Sequence, residues 1–137
     1  MSSDAPTSSG LVAMIVDDDE VDQMMYQRVF SRCAGFGSVI GCTQPEEALR
    51  QLQDPKGRPI DVLFLDINMP RMDGFEFLER ANREQGAHFA KTAVVMLTTS
   101  LDDADRRRVR KYPQVKAYIS KPLTTDALDE LVRDLAE

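Results

Sequence analysis

The stretch VLFLDINMPRMDG, residues 62–74, decides the fold. Four apolar residues run into a carboxylate, Asp66, and the chain then turns through Pro70, Asp73 and Gly74. A short continuous apolar run bounded by turn residues reads as a strand buried on both faces. An unpaired carboxylate is costly to bury, so Asp66 belongs where that strand leaves the core.

Working outward, LVAMIV (11–16), GSVIGC (37–42), TAVVMLT (92–98) and VKAYIS (115–120) read as further strands, with the third extended to IDVLFLD (60–66). Between them lie helical patterns. From Glu20 to Cys33, the residues Val21, Met24, Met25, Val29 and Phe30 recur at helical spacing behind Asp19 as cap, and predict the buried face of a first helix. PEEALRQLQ carries proline and acids in its first turn, as helix starts favour. GFEFLERANRE, LDDADRRRVRK and TTDALDELVRDLA complete the set. Five strands alternating with five helices predict an α/β fold, a parallel sheet with helices on both faces, because parallel neighbours need crossover connections.

The chain has 137 residues, enough for one domain with a proper core. A net charge of -6 disfavours a nucleic-acid surface. No apolar run approaches the roughly 20 residues of a membrane span, and MSSDAPTSSG lacks the regions of a signal peptide. Residues 1–10 are expected to be a disordered tail and 11–137 the domain. Cys33 and Cys42 have neither CxxC spacing nor nearby histidines, so both are expected as buried free thiols in a reducing cytoplasm.

Polar residues collect at the carboxyl ends of the strands: Asp17, Asp18 and Asp19 after the first, Asp66 after the third, Thr98 and Thr99 after the fourth, Ser120 and Lys121 after the fifth. Ligands of open α/β sheets bind outside that edge. In the flavodoxin-like order 2-1-3-4-5, strands one and three are neighbours, and Asp17, Asp18 and Asp66 converge. Clustered carboxylates repel one another unless a cation neutralises them, and hard oxygen ligands suit Mg²⁺. Lys121 and Thr98 add a point charge and a hydroxyl, a cradle for a transferable tetrahedral anion. Asp66 is the group placed to attack phosphorus, giving an acyl phosphate.

In order and spacing, IVDDDE, LFLDINMPRMDG, VVMLTTS and AYISKP resemble the receiver domain of two-component response regulators, the CheY type. The resemblance runs from about Met14 to Leu135 and supplies the (βα)5 strand order. It implies that Asp66 accepts phosphoryl from a sensor histidine kinase or histidine phosphotransfer protein. It implies Asp18 on Mg²⁺ directly, Asp17 through water, and the backbone carbonyl of Asn68 completing the metal site. Thr98 and Lys121 match the phosphoryl-contacting hydroxyl and ammonium, Tyr118 the aromatic that turns inward on switching, and Lys121-Pro122 a cis peptide. Thr99 is larger than the Ala or Gly common in the family and is expected to narrow access to Asp66. The implied function is a signalling switch, an enzyme only in its own phosphorylation and dephosphorylation. With no output domain after Glu137, its effect is expected to pass through an unidentified downstream protein.

Simpler readings apply elsewhere. His88, in EQGAHFAK, is expected to be solvated in a polar loop. RRRVRK (106–111) closes a helix that begins with Asp102, Asp103 and Asp105, the polarity a helix dipole favours. That basic helix and the acidic last helix, with Asp126, Asp129, Glu130 and Asp134, suggest a homodimer across the fourth-helix, fifth-strand and fifth-helix face. The rival reading is a Mg²⁺-dependent phosphatase of the haloacid dehalogenase type. That chemistry wants a DxD pair and a cap domain, whereas Asp66-Ile67-Asn68 supplies one acid.

Overall fold

The computed structural model describes residues 10–54, 56–99 and 102–136. The strands are β1 (Leu11–Val16), β2 (Phe36–Cys42), β3 (Val62–Asp66), β4 (Ala93–Thr98) and β5 (Val115–Ser120). They pair in parallel in the order β2-β1-β3-β4-β5, the flavodoxin-like order expected. The helices are α1 (Glu20–Ser31), α2 (Pro45–Gln53), α3 (Gly74–Gln85), α4 (Ala87–Ala90), α5 (Asp103–Val109) and α6 (Thr125–Ala136). The expected tail, residues 1–10, lies outside the described residues except for Gly10.

The two-residue period of the strands splits the core into two halves. Met14, Val16, Leu63, Leu65, Val94 and Met96 face α2 and α3, where Leu49, Phe75, Phe77 and Leu78 meet them. Ala13, Ile15, Val62, Phe64, Val95 and Leu97 face the other way, against Tyr26 and Phe30 of α1 and Leu128 and Leu131 of α6. Each fully buried Leu, Ile or Phe contributes about 1.5–3 kcal/mol. β3 is buried at all five positions, whereas β5, at the sheet edge, alternates half-buried with exposed.

The first helix departs from expectation. Val21, Met24 and Met25 are 65%, 61% and 46% exposed, while Gln23, Tyr26 and Phe30 are its buried residues. The inward row is therefore 23-26-30, continued by buried Cys33, and it begins with a polar side chain. Gln23 is tolerated there because its Nε2 donates to the carbonyls of Ile15 (3.1 Å), Asp17 (3.0 Å) and Cys42 (3.0 Å). The methionine pair is surface, not core filler.

A sixth helical segment is the second difference. Gly86 takes φ +54°, ends α3, and starts the single turn α4, which buries Phe89. His88 sits in that turn rather than in a loop, exposed as expected. Both cysteines are buried and free. Among the described residues no helix is long and apolar enough to cross a membrane.

Candidate functional site

β1 and β3 are adjacent, with Val16 paired to Leu65, so the residues that follow them emerge side by side. Carboxylate oxygens of Asp17, Asp18 and Asp66 lie within 4.8 Å of one another. Asp17 is fully buried, Asp66 nearly so, and Asp18 exposed. Asp18 also borders a cavity of about 460 Å³ together with Thr43, Pro45, Met69 and Arg71. Oxygen donors of one sign beside open, water-accessible space make a site able to hold a divalent cation with part of its hydration shell.

The three acids are not equivalent. Asp17 Oδ1 accepts from the Asp19 amide (2.9 Å), and Asp17 Oδ2 accepts from Tyr26 OH (2.7 Å) and Lys121 Nζ (3.0 Å). Its charge is thus already engaged by the protein. Asp66 Oδ1 accepts from the Asn68 amide at 3.2 Å. Burial, and then the negative charge of Asp17, push the Asp66 carboxyl up to about 6, against the opposing pull of Lys121. At neutral pH Asp66 is therefore mainly ionised, yet poorly stabilised as an anion.

Lys121 follows β5 and is held in place by its own backbone, whose amide donates to the Thr98 carbonyl at 2.7 Å. Its ammonium reaches Asp17 Oδ2 at 3.0 Å, Asp22 Oδ2 at 3.1 Å and Asp66 Oδ1 at 3.5 Å. Burial alone would depress this lysine, but its bonds to Asp17 and Asp22 and the charge of Asp66 outweigh that and raise it. Burial, reinforced by the bond to Asp17, likewise holds the Tyr26 hydroxyl well above the ordinary tyrosine range.

Thr98 is buried at the end of β4, in register with Ser120, and Thr99 beyond it is exposed. Tyr118 is 42% exposed and points away from the core. Arg106 Nη1 donates weakly to its hydroxyl at 3.4 Å, with the guanidinium 5.6 Å from the ring centre. The Lys121–Pro122 peptide is cis. Asn68 is exposed, and its amide orients Asp66.

Gly74 supports the site from below. A Cβ there would lie 2.9 Å from the Asp66 carbonyl oxygen and 3.1 Å from Ile67 Cα, so the start of α3 packs directly on the backbone of Asp66. Asp73 caps that helix reciprocally with Glu76.

Sequence reasoning missed Asp22, Gln23 and Tyr26. Asp22, Gln23 and Tyr26 reach the strand ends through Lys121, the carbonyls of Ile15, Asp17 and Cys42, and the Asp17 carboxylate, partners that no local pattern of α1 shows.

An open parallel sheet with this acidic edge, lysine and hydroxyl defines a receiver domain of two-component systems. The chain belongs to the response regulator receiver domain family, whose model matches residues 13–133. It is 30% identical over 129 residues to the probable methanogenesis regulatory protein FilR2 of Methanothrix harundinacea, covering 92% of this chain and 81% of that protein. It is 33% identical over 116 residues to the two-component response regulator ARR11 of Arabidopsis thaliana, but spans only 20% of that protein. A two-component response regulator from Cytophaga hutchinsonii superposes with TM-score 0.83 at 26% identity, covering 93% of this chain and 99% of that one. Family membership displaces the phosphatase reading. Two of the three acids, Asp17 and Asp18, follow β1 rather than β3, and the second position of a DxD pair is the exposed Asn68.

Proposed function

We propose that the chain is a phosphorylation switch that accepts a phosphoryl group on Asp66 from a phosphohistidine donor. The observation that carries this reading is the convergence of Asp17, Asp18 and Asp66 within 4.8 Å beside the Lys121 ammonium. Mg²⁺, held by Asp18 and Asp66, by Asp17 through water and by the Asn68 carbonyl, would supply positive charge for the transferring oxygens. An Asp66 carboxylate oxygen attacks phosphorus, the P–O bond forms, and the P–N bond breaks with its electron pair leaving on the imidazole. Lys121 and the Thr98 hydroxyl bind the remaining phosphoryl oxygens.

Movement of Thr98 toward the phosphoryl group then draws Tyr118 inward and shifts a pre-existing equilibrium. The face of α5, β5 and α6 changes with it. The donor is a histidine kinase or histidine phosphotransfer protein, and the setting is the cytoplasm. On that face α5 buries no residue and sets Arg106 against Tyr118 of β5, while α6 exposes Asp126, Glu130 and Asp134. Charge complementarity of this kind supports two-fold pairing of activated copies; sedimentation with an acyl-phosphate mimic showing monomer alone would remove it. The test of the switch is incubation with acetyl phosphate and Mg²⁺, followed by mass spectrometry. Wild type is expected to gain one phosphoryl group and Asp66→Asn none. An adduct that persists in Asp66→Asn would assign the chemistry elsewhere.

A further inference from the structure

The Lys121 ammonium has three N–H donors and no acceptor. Two of them find oxygens at good hydrogen-bond length, Asp17 Oδ2 at 3.0 Å and Asp22 Oδ2 at 3.1 Å. The third neighbour, Asp66 Oδ1, stands at 3.5 Å, outside the usual N–H···O range. Lys121 thus leans toward α1 and away from the carboxylate that needs its lone pairs free. We propose that Asp22 is a positioning residue that draws Lys121 off Asp66, leaving the Asp66 carboxylate open to a divalent cation and to phosphorus. The inference rests on the reading of Asp66 as phosphoacceptor.

The geometry is built rather than incidental. Asp22 lies in the first turn of α1, where its amide donates to the Asp19 cap at 3.1 Å. The next residue, Gln23, ties that turn to the ends of β1 and β2 through three carbonyls. One turn further on, Tyr26 bonds the same Asp17 oxygen that Lys121 uses. The turn carrying Asp22 is therefore fixed relative to Asp17, and Asp22 meets the lysine as part of a rigid frame. An ordinary surface ion pair would be worth little and would influence nothing beyond itself. This pair shares its lysine with a nearly buried site, where charges act on one another strongly. Without Asp22 the freed N–H has Asp66, at 3.5 Å, as the next carboxylate beyond Asp17, which the ammonium already bonds. The lysine would then close onto Asp66 as a tight ion pair and compete with the cation for the same carboxylate.

A double-mutant cycle on Mg²⁺ affinity separates this from a simple loss of charge. Calorimetric titration at fixed pH and ionic strength would compare wild type, Asp22→Asn, Lys121→Met and the double variant, with Lys121→Gln standing in if the methionine variant does not fold. Asp22→Asn is expected to weaken Mg²⁺ binding about fivefold when Lys121 is present, and less than about twofold when it is not. A coupling of that size is usual for residues sharing one hydrogen-bonded network. Equal weakening in both backgrounds would mean bulk charge alone and would overturn the proposal, as would no weakening in either. The titration requires no phosphoryl transfer. Failure of wild type to be phosphorylated would sink the switch and leave the cycle readable, while an uncoupled cycle would sink the role of Asp22 and leave the switch standing.

Discussion

Replacing Asp66 by Asn should stabilise the cation-free protein, and by an amount that depends on pH. The Asp66 carboxyl is raised from 3.8 to about 6, by burial first and by Asp17 second. Between those values the folded chain holds a proton that the unfolded chain has released, so wild-type stability falls as pH rises through the window. Asn carries no such charge and avoids the loss. At 1.36 kcal/mol per unit the shift sets a ceiling of about 3 kcal/mol. Water admitted from the Asp18 side lowers the expected gain to about 1–2 kcal/mol. The assay is urea denaturation of both proteins with chelator, at pH 4 and pH 7.5. The gap should be small at pH 4 and nearly full at pH 7.5. Saturating Mg²⁺ should then reverse the order, because a ligand at about 100 times its Kd stabilises the form that binds it by about 2.7 kcal/mol. A gap that is the same at both pH values, or that favours wild type without metal, would refute the electrostatic account.

Three further outcomes follow from the packing around the site. Tyr26→Phe removes a donor from the fully buried Asp17 and should cost about 1–3 kcal/mol in urea denaturation, more than an exposed hydroxyl would. Gly74→Ala forces a Cβ against the Asp66 carbonyl and Met96 Cε, and should cost about 1–3 kcal/mol while shifting the Asp66 resonances in NMR spectra. On α1, Phe30→Ala should cost about 3–5 kcal/mol, whereas the joint change Met24→Gln and Met25→Gln should stay within about 1 kcal/mol; thermal melts that rank them the other way would restore the apolar-row reading of that helix.

The sheet was legible because β1, β3 and β4 lie between two helical layers, which demands nearly unbroken apolar runs. The acids were legible because each interrupts such a run at its carboxyl end. Alternation of strands and helices does not by itself set strand order, so the juxtaposition of β1 with β3 came from the family resemblance. What escaped reading depends on partners distant in the chain. Gln23 is inward because carbonyls of β1 and β2 receive its amide, and nothing local to α1 announces that. Asp22 meets Lys121 across 99 positions. A count of apolar spacing on α1 follows Val21, Met24 and Met25, a face rotated from the one the site requires. The Tyr118–Arg106 contact escaped for the same reason, since it joins β5 to a helix that shares no sequence pattern with it.

The hydroxyl of Tyr26 touching Asp17 also equips the protein with an optical gauge. The chain has no tryptophan and three tyrosines, so no indole masks phenol emission. A phenol bonded to a carboxylate fluoresces weakly, and of the three only Tyr26 reaches an acid of the strand-end cluster. Whatever redistributes charge on Asp17, whether an arriving cation or a departing ammonium, should brighten or dim that one ring, allowing events at the rim to be followed in real time without a label.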